Sequence, residues 1–181
     1  MLSAKIKATT EALQQLEALQ KEINQAVELL KTTVKKGNKI LICGNGGSAA
    51  DSQHFAAELM VKYKKLRPPI PCIALTTDTS LLTAHTNDFG FDTIFARQVW
   101  AHGQKGDLLI AISTSGNSKN IHLACLEAIK LKLNLLILTG RDGGLLKQFK
   151  NRLVVGSIDS ETCTIQEVHI FLLHYLCEAL E

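Results

Sequence analysis

The chain has 181 residues, of which 46% are hydrophobic and 20% charged, and its formal net charge at pH 7 is +3. This composition is typical of one globular domain with a sizeable core, and it excludes a disordered chain. The positive charges are spread along the sequence except in "KYKKLR" (62–67), so we expect neither nucleic acid nor a membrane as a partner.

The N-terminal segment has apolar residues at helical spacing. Leu13, Leu16, Ile23 and Leu30 belong to a stripe that recurs every three or four residues, which predicts an amphipathic helix over residues 2–36. We interpret 1–36 as an N-terminal helical extension that serves oligomerisation, and 37–181 as the rest of a single structural domain. The first residues lack the features of a secretory signal, and no window reaches the roughly 18 apolar residues of a membrane span. We therefore expect a cytoplasmic protein.

Short apolar runs follow the extension, at 39–43, 72–76, 108–113, 134–139 and 152–156. Each run is too short for a helix and too continuous for a half-exposed strand, which predicts strands buried on both faces. Helical patterns separate or follow them, at 48–65, 79–86, 92–103, 118–132 and 160–180. This alternation predicts an α/β fold, in which a five-stranded parallel sheet lies between two helical layers.

The five cysteines, at positions 43, 72, 125, 163 and 177, form no CxxC pair. Four of them lie in apolar segments, where a free cysteine behaves as a small buried hydrophobe. We therefore expect no disulfide framework.

Three predicted strands end in glycine-rich or hydroxyl-rich loops: "GNGGS" (44–48), "STSGNS" (113–118) and "TGRDGG" (139–144). Ligands of parallel sheets bind beyond the carboxyl ends of the strands. The hydroxyls of "STSGNS" and the amides of the helix that follows could converge on a phosphate. The alternative is that Ser118 only caps that helix.

The first loop also fits a dinucleotide fingerprint in its permissive form, through Gly44, Gly46 and Ala49. A dinucleotide site needs an acidic residue about 20 positions later, at the end of the second strand, and here that strand reaches an acid only at Asp78. No Walker lysine follows the glycines either. The loop is therefore weak evidence for a nucleotide-binding site, and it also fits a site for a sugar phosphate.

Two groups of polar side chains could bind a metal ion. His54 and Glu58 are four residues apart on the helix that "GNGGS" begins, so they share one helical face. Gln166, His169 and His174 lie among apolar residues of the last predicted helix. A surface ion pair and core histidines are the alternatives, but together these nitrogen and oxygen donors also suit zinc.

Five motifs resemble, in order and at matching spacings, the sugar isomerase (SIS) domain family, and within it the bacterial phosphoheptose isomerases. They are "CGNGGSAADSQHFAAEL" (43–59), "NDFGFDTIFARQV" (87–99), "GDLLIAISTSGNSKN" (106–120), "LTGRDGG" (138–144) and "IQEVHIFLLH" (165–174). The resemblance covers nearly the whole chain. It implies a three-layer α/β/α SIS domain over residues 37–181, and a homotetramer with active sites between subunits.

The resemblance also implies roles for individual residues. Substrate would contact Asn45, Gly46, Gly47, Glu58, Asn87, Asp88, Ser113, Thr114, Ser115, Ser118 and Gln166, with the hydroxyl loop holding the phosphate. One zinc ion per subunit would bind His54, Glu58, Gln166 and His174. Gln166 and His174 are separated by about 12 Å of helical rise, so His169 is a reserve ligand.

The expected reaction converts sedoheptulose 7-phosphate to D-glycero-D-manno-heptose 7-phosphate for lipopolysaccharide core or capsule. Moving a proton between C1 and C2 through an enediol requires a base, a second proton-transfer group and oxyanion stabilisation. Our hypothesis is that Glu58 takes the C1 proton and His174 delivers or relays the other proton. The catalytic pair is therefore Glu58 and His174.

Some positions depart from the family pattern. Lys62 replaces a common arginine, and Cys163 and Thr164 stand where an acidic residue and an arginine are frequent, so these peripheral contacts differ. One rival function is a non-catalytic SIS module that binds proteins, of the replication-initiator-associating type. The retained set of His54, Glu58, Gln166 and His174 argues against it. Another is a sugar-phosphate-sensing regulator, for which the N-terminal segment is too short to contain a convincing DNA-binding domain.

Overall fold

The computed structural model describes residues 1–156 and 160–181. Its helices are α1 (Leu2–Gln14), α2 (Gln20–Lys35), α3 (Gly47–Met60), α4 (Thr79–Phe89), α5 (Ile94–His102), α6 (Lys119–Lys130) and α7 (Thr162–Glu178), and its strands are β1 (Ile40–Cys43), β2 (Cys72–Ala74), β3 (Leu108–Ser113), β4 (Asn134–Gly140) and β5 (Arg152–Val155). Short 3₁₀ turns lie at Gln15–Leu19, Phe91–Thr93 and Gly144–Gln148. The predicted alternation of strands and helices is confirmed.

The strands form one parallel sheet in the order β2-β1-β3-β4-β5. The central strands β1 and β3 are buried at every position, as their continuous apolar runs predict. The prediction of burial on both faces is wrong for the two edges: Ile73 in β2 is 37% exposed, and Arg152 and Val154 in β5 are incompletely buried. An edge strand has a neighbour on one side only, so the helical layers cover it incompletely.

Helices cover both faces of the sheet, which gives the three-layer arrangement. On one face, Ile40, Ile110 and Leu138 pack in the same buried cluster as residues of α2, α3 and α7. On the other face, Leu41 and Leu109 pack with residues of α5 and α6. Successive residues of a strand point to opposite faces, so each apolar run supplies both cores. Among the described residues, no helix is long and apolar enough to cross a membrane.

The N-terminal extension packs on the same core as α3 and α7. Ala12, Leu16, Ile23 and Leu30 are buried in that cluster, so much of the apolar stripe is covered within one chain. The single predicted helix is divided by the 3₁₀ turn at Gln15–Leu19. The role of this segment in oligomerisation stays a prediction.

Several predicted helix boundaries differ from the observed ones, and the largest difference is at the end of α3. The helix predicted over 48–65 ends at Met60, and an extended segment with three prolines, which we call the α3–β2 loop (residues 61–71), leads to β2. The proline-rich end of this loop is incompatible with continued helix because proline lacks an amide hydrogen and restricts the residue before it. The last helix begins at Thr162 rather than at residue 160. The predicted connection over residues 157–159 lies outside the described part of the chain.

Candidate functional site

The strand order places the two principal loops side by side at the centre of the sheet. From β1 the chain crosses to β2 on one side, whereas from β3 it crosses to β4 on the other. A doubly wound sheet of this order has a crevice at this switch point, beyond the carboxyl ends of the two strands. "GNGGS" follows β1 and "STSGNS" follows β3. The fold therefore brings both predicted ligand loops to one crevice.

A reciprocal amide pair joins the two loops. Asn45 Nδ2 donates to Asn120 Oδ1, and Asn120 Nδ2 donates to Asn45 Oδ1, both at 2.9 Å. Asn120 is only 4% exposed, and its Oδ1 also accepts the Ile121 amide at 2.9 Å. Asn120 was not among the predicted site residues, although an asparagine in the first turn of the helix that follows the hydroxyl loop indicates such a role.

Gln166 reaches from α7 to the first turn of α3. A Cβ placed on Gly47 would overlap the Gln166 side-chain amide. The absence of a side chain at Gly47 therefore lets the Gln166 amide approach the backbone of "GNGGS". Gly47 and Gln166, two predicted substrate-binding residues that are far apart in sequence, therefore meet at the N-terminal end of α3.

In the hydroxyl loop, the side chains of Ser113 and Ser118 face each other, with their Oγ atoms 2.9 Å apart. Ser118 precedes α6 in an extended conformation, but within the described residues its side chain makes no capping hydrogen bond. The alternative that Ser118 only caps the helix is therefore wrong. Thr114 and Ser115 between them are partly exposed. The loop gathers hydroxyl groups in front of a helix N-terminus, an arrangement that favours an anion.

The third loop, "TGRDGG", and the 3₁₀ turn that follows it contact the hydroxyl loop and hold it in place. The Leu146 amide donates to the Gly116 carbonyl at 3.1 Å, and the Leu145 amide donates to Asn117 Oδ1 at 3.0 Å. Gly116 has a φ of +67°, and a Cβ there would collide with the Gly143 carbonyl. The hydroxyl loop is thus held by backbone contacts that only glycine permits.

His54 and His174 meet between α3 and α7. Their Nε2 atoms are 2.8 Å apart, and the rings are nearly perpendicular, at 76°. Glu58 lies on the same face of α3, with Oε1 at 3.7 Å from His54 Nε2. The side chain of Glu58 is 23% exposed and that of His54 is 44% exposed. Three groups that can bind a metal or move protons therefore share one solvent-accessible position.

The donor types at this position fit zinc, since two imidazole nitrogens and a carboxylate are common zinc ligands. Tetrahedral zinc with Zn–N distances of 2.0–2.1 Å separates two nitrogens by about 3.3 Å, so the pair at 2.8 Å would need a small outward shift. Among the described residues, no three His, Cys, Asp or Glu side chains form a ready metal-binding group. Gln166 contacts Gly47, seven residues before His54 on α3. The four ligand roles stay predictions.

His169 lies in the core, against β4. It is fully buried, and its Nε2 is 3.3 Å from the Thr139 carbonyl oxygen. Burial lowers the pKa of His169 to about 4, an effect that the contact with the Thr139 carbonyl partly opposes. His174 rather than His169 meets His54, and His169 is a core residue, whereas the ligand role of His174 stays a prediction.

Two further residues beside the histidine pair belong to the basic run "KYKKLR" (62–67), which gave no indication of their contacts. The Tyr63 ring stacks on the His174 ring, with centroids 5.5 Å apart and an interplanar angle of 22°. The Arg67 guanidinium donates to the backbone carbonyls of Glu58 and Leu59. Both belong to the α3–β2 loop, which the predicted helix over 48–65 partly concealed.

Asp51 lies one turn before His54 on α3. Its Oδ2 is buried, with no hydrogen-bond partner among the described residues. Burial raises the pKa of Asp51 to about 6, and the neighbouring His54 opposes this increase. The site therefore contains a carboxyl group that carries a desolvation cost when ionised.

The remaining predicted contacts belong neither to the two loops nor to the histidine pair. Asn87 and Asp88 are exposed near the end of α4, where the Asn87 amide donates to Asp88 Oδ1 at 2.9 Å. Lys62 is exposed, and Cys163 Sγ accepts a hydrogen bond from Lys5 Nζ at 3.1 Å. The substrate roles of Asn87 and Asp88 stay predictions.

Comparisons with known proteins identify relatives of the whole chain. The model of the SIS domain family matches residues 5–140. A phosphoheptose isomerase of Campylobacter concisus (strain 13826) is 53% identical over 178 residues, which cover 92% of this chain and 93% of that protein. The solved phosphoheptose isomerase GmhA of Neisseria gonorrhoeae is 42% identical with a TM-score of 0.87, over 99% of this chain and 94% of that one. The phosphoheptose isomerase of Francisella tularensis is 39% identical with a TM-score of 0.90, over 99% and 93% of the two chains.

Proposed function

The chain belongs to the phosphoheptose isomerases of the SIS domain family, and from this premise we propose that it converts sedoheptulose 7-phosphate to D-glycero-D-manno-heptose 7-phosphate. The observation that carries the proposal is the placement of Glu58 and His174, on different helices, around the same imidazole nitrogen of His54, in a fold whose hydroxyl loop lies at the switch point of the sheet. The product would supply ADP- or GDP-heptose for lipopolysaccharide core or capsule.

The hydroxyl loop is the proposed phosphate site. Ser113 and Ser118 already present their hydroxyls to each other, so a phosphate oxygen can replace that contact. Thr114 and Ser115 add hydroxyl donors, and the first turn of α6 adds a favourable helix end. Asn45, held by Asn120, and Gly46 and Gly47 form the opposite wall for sugar hydroxyls.

Proton transfer is assigned to Glu58 and His174. Glu58 removes a proton from C1 of the open-chain ketose, and His174 protonates the carbonyl oxygen at C2, which gives the enediol. A proton is then returned to C2, while the hydroxyl at C1 loses its proton to form the aldehyde. His54, Glu58, Gln166 and His174 would hold zinc, which when bound supplies electrophilic stabilisation of negative charge on oxygen.

We further propose a homotetramer in which neighbouring subunits complete each site. The exposed position of Asn87 and Asp88 near the end of α4 supports this assembly, because exposed polar side chains of one subunit are available to the site of a neighbouring subunit. Mixing separately inactive N87A/D88A and E58Q proteins, after dissociation and reassembly, should restore part of the activity. Absence of any restoration in a mixed tetramer would contradict shared sites.

The decisive experiment measures turnover of sedoheptulose 7-phosphate in D₂O, where isomerisation through an enediol incorporates solvent deuterium at C2 of the aldose. E58Q keeps the shape of the side chain but removes its basicity, so we expect kcat to fall by roughly 10²–10⁴-fold. E127Q is the matched control, because Glu127 pairs with Lys130 on α6 at 2.8 Å and belongs to no proposed site. A folded E58Q protein with full turnover would exclude Glu58 as the base.

A chelator tests the proposed zinc requirement. Removal of zinc should reduce turnover, and zinc should restore it in wild-type protein but not in H54A. The protein-binding alternative predicts no turnover and no deuterium label in a folded assembly. The identity of its relatives as isomerases favours the enzymatic function.

A further inference from the structure

We propose that the α3–β2 loop (residues 61–71) aligns the two catalytic side chains, with Tyr63 and Arg67 as its positioning residues. This inference rests on the proposed roles of Glu58 and His174, which lie on α3 and α7. A single loop contacts both helices at these positions. Neither Tyr63 nor Arg67 needs to touch the substrate for this role.

Arg67 fixes the end of α3. Its Nη2 donates to the Glu58 carbonyl at 2.9 Å, and its Nη1 donates to the Leu59 carbonyl at 2.8 Å. These carbonyls belong to the last turn of α3, where the helix itself supplies no amide partners. Charge-assisted hydrogen bonds and a cation at a helix C-terminus are both favourable. Arg67 therefore keeps the turn that carries Glu58 helical.

Tyr63 fixes His174. The stacked tyrosine ring covers one face of the imidazole, which restricts rotation of the ring and leaves its Nε2 edge directed at His54. Tyr63 is partly buried and packs against the core cluster on this face of the sheet. The stacking contact consequently selects one side-chain orientation of His174.

The loop is also anchored to the end of α7. Glu181 Oε1 accepts the backbone amides of Lys64 and Lys65 at 2.8 and 2.9 Å, and Lys64 Nζ pairs with Glu178 at 2.8 Å. The loop is thus attached to α3 through Arg67 and to α7 through these carboxylates. A displacement of about 1 Å at a reacting group can cost roughly 100-fold in rate. A loop attached to both helices therefore preserves kcat by keeping Glu58 and His174 in position.

The first test compares Y63L with Y63F. Y63L removes the stacked ring, and we expect kcat for sedoheptulose 7-phosphate to fall roughly 10–100-fold while KM changes less than about threefold, because the phosphate loop is untouched. Y63F keeps the ring and should restore kcat to within about threefold of wild type. Equal losses in Y63F and Y63L, or an unchanged kcat in Y63L, would overturn the stacking role.

The second test compares R67M with K105M. Lys105 is exposed between α5 and β3, outside the α3–β2 loop and the proposed site, so K105M is a matched loss of positive charge. We expect R67M to lower kcat at similar KM and to accelerate amide exchange in the last turn of α3, with K105M unchanged in both measurements. R67K, which retains the charge without the planar fork, should be intermediate and is informative if R67M fails to fold. Wild-type exchange rates and wild-type kcat in R67K would exclude the role of Arg67.

A measurement on the metal-free protein separates this inference from the proposed function. The ring current of Tyr63 displaces the His174 ring-proton NMR resonances, so Y63L should move them towards ordinary values and Y63F should not. If wild type fails to turn over heptulose phosphate, the proposed function is wrong, whereas the resonances still report the stacking. If Y63L leaves the His174 resonances in place, the positioning role is wrong even in an active isomerase.

Discussion

Protonation of His169 should reduce the stability of the fold below pH 6.5. The side chain is fully buried on α7, and burial lowers its pKa to about 4, against about 6.5 in the unfolded chain. Between these two values the unfolded state binds more protons than the folded state. The free energy of unfolding therefore rises with pH through this window and is unaffected by His169 above it.

The size of the effect follows from the two pKa values. A difference of about 2.5 units corresponds to about 3 kcal/mol when both states are protonated, and to about 2 kcal/mol at pH 5 relative to pH 8. This is a large part of the typical 5–15 kcal/mol stability of a domain. Acidification to pH 5 should therefore produce a measurable loss through this one residue.

The assay is denaturant unfolding of chelator-treated wild type and H169Q from pH 5 to pH 8. H169Q cannot titrate, and it should be less stable than wild type at pH 8 because it loses packing in the core. The difference between the two proteins should shrink by about 2 kcal/mol at pH 5. H169N removes the same titration with a larger packing loss, so its difference from wild type should shrink by the same amount. If the difference in free energy of unfolding between wild type and H169Q were independent of pH, the titration of His169 would be refuted as the cause.

Substitutions at three other positions test the surroundings of the proposed site. D51N should stabilise the metal-free protein at pH 8 by about 1 kcal/mol, because burial raises the pKa of Asp51 to about 6. Below pH 4 this gain in stability should disappear, and equal gains at both pH values in denaturant unfolding would contradict the assigned cause. N120D removes the donor to Asn45 but keeps the acceptor, so KM should rise roughly 3–10-fold, and N120A should raise it further in the same assay. G116A should lower the free energy of unfolding by about 2–4 kcal/mol, since its Cβ meets the Gly143 carbonyl; wild-type stability would refute the close contact.

Most of the fold follows from local patterns. The runs at 39–43 and 108–113 predict the central strands because a strand buried on both faces must be apolar at every position. The same reasoning failed at Ile73, since the hydropathy of a strand does not say whether it lies at the centre or the edge of a sheet. The predicted continuation of α3 to residue 65 failed because the loop residues before the prolines have helix-compatible composition, while their tertiary contacts favour an extended path.

The catalytic candidates were available from residue type and spacing, whereas their surroundings were not. The helical period alone places His54 and Glu58 on one face of α3, but His174 is 120 residues away from His54 in sequence, so only the resemblance to a family proposed their contact. Residue type likewise left Ser118 as either a cap or a ligand group. The structure shows its hydroxyl in contact with Ser113 and not in a cap within the described residues, and its ligand role stays a prediction.

The sequence by itself determined the parallel α/β architecture and the placement of glycine-rich and hydroxyl-rich loops at the strand ends, because these depend on periodicity and on short motifs. Only the tertiary structure decided that Asn120 joins the two loops, that His169 belongs to the core and that Tyr63 and Arg67 contact the residues of the proposed catalytic pair. Each of these contacts joins segments distant along the chain or depends on the path of an irregular loop. Their geometry is set by packing, which no local pattern encodes.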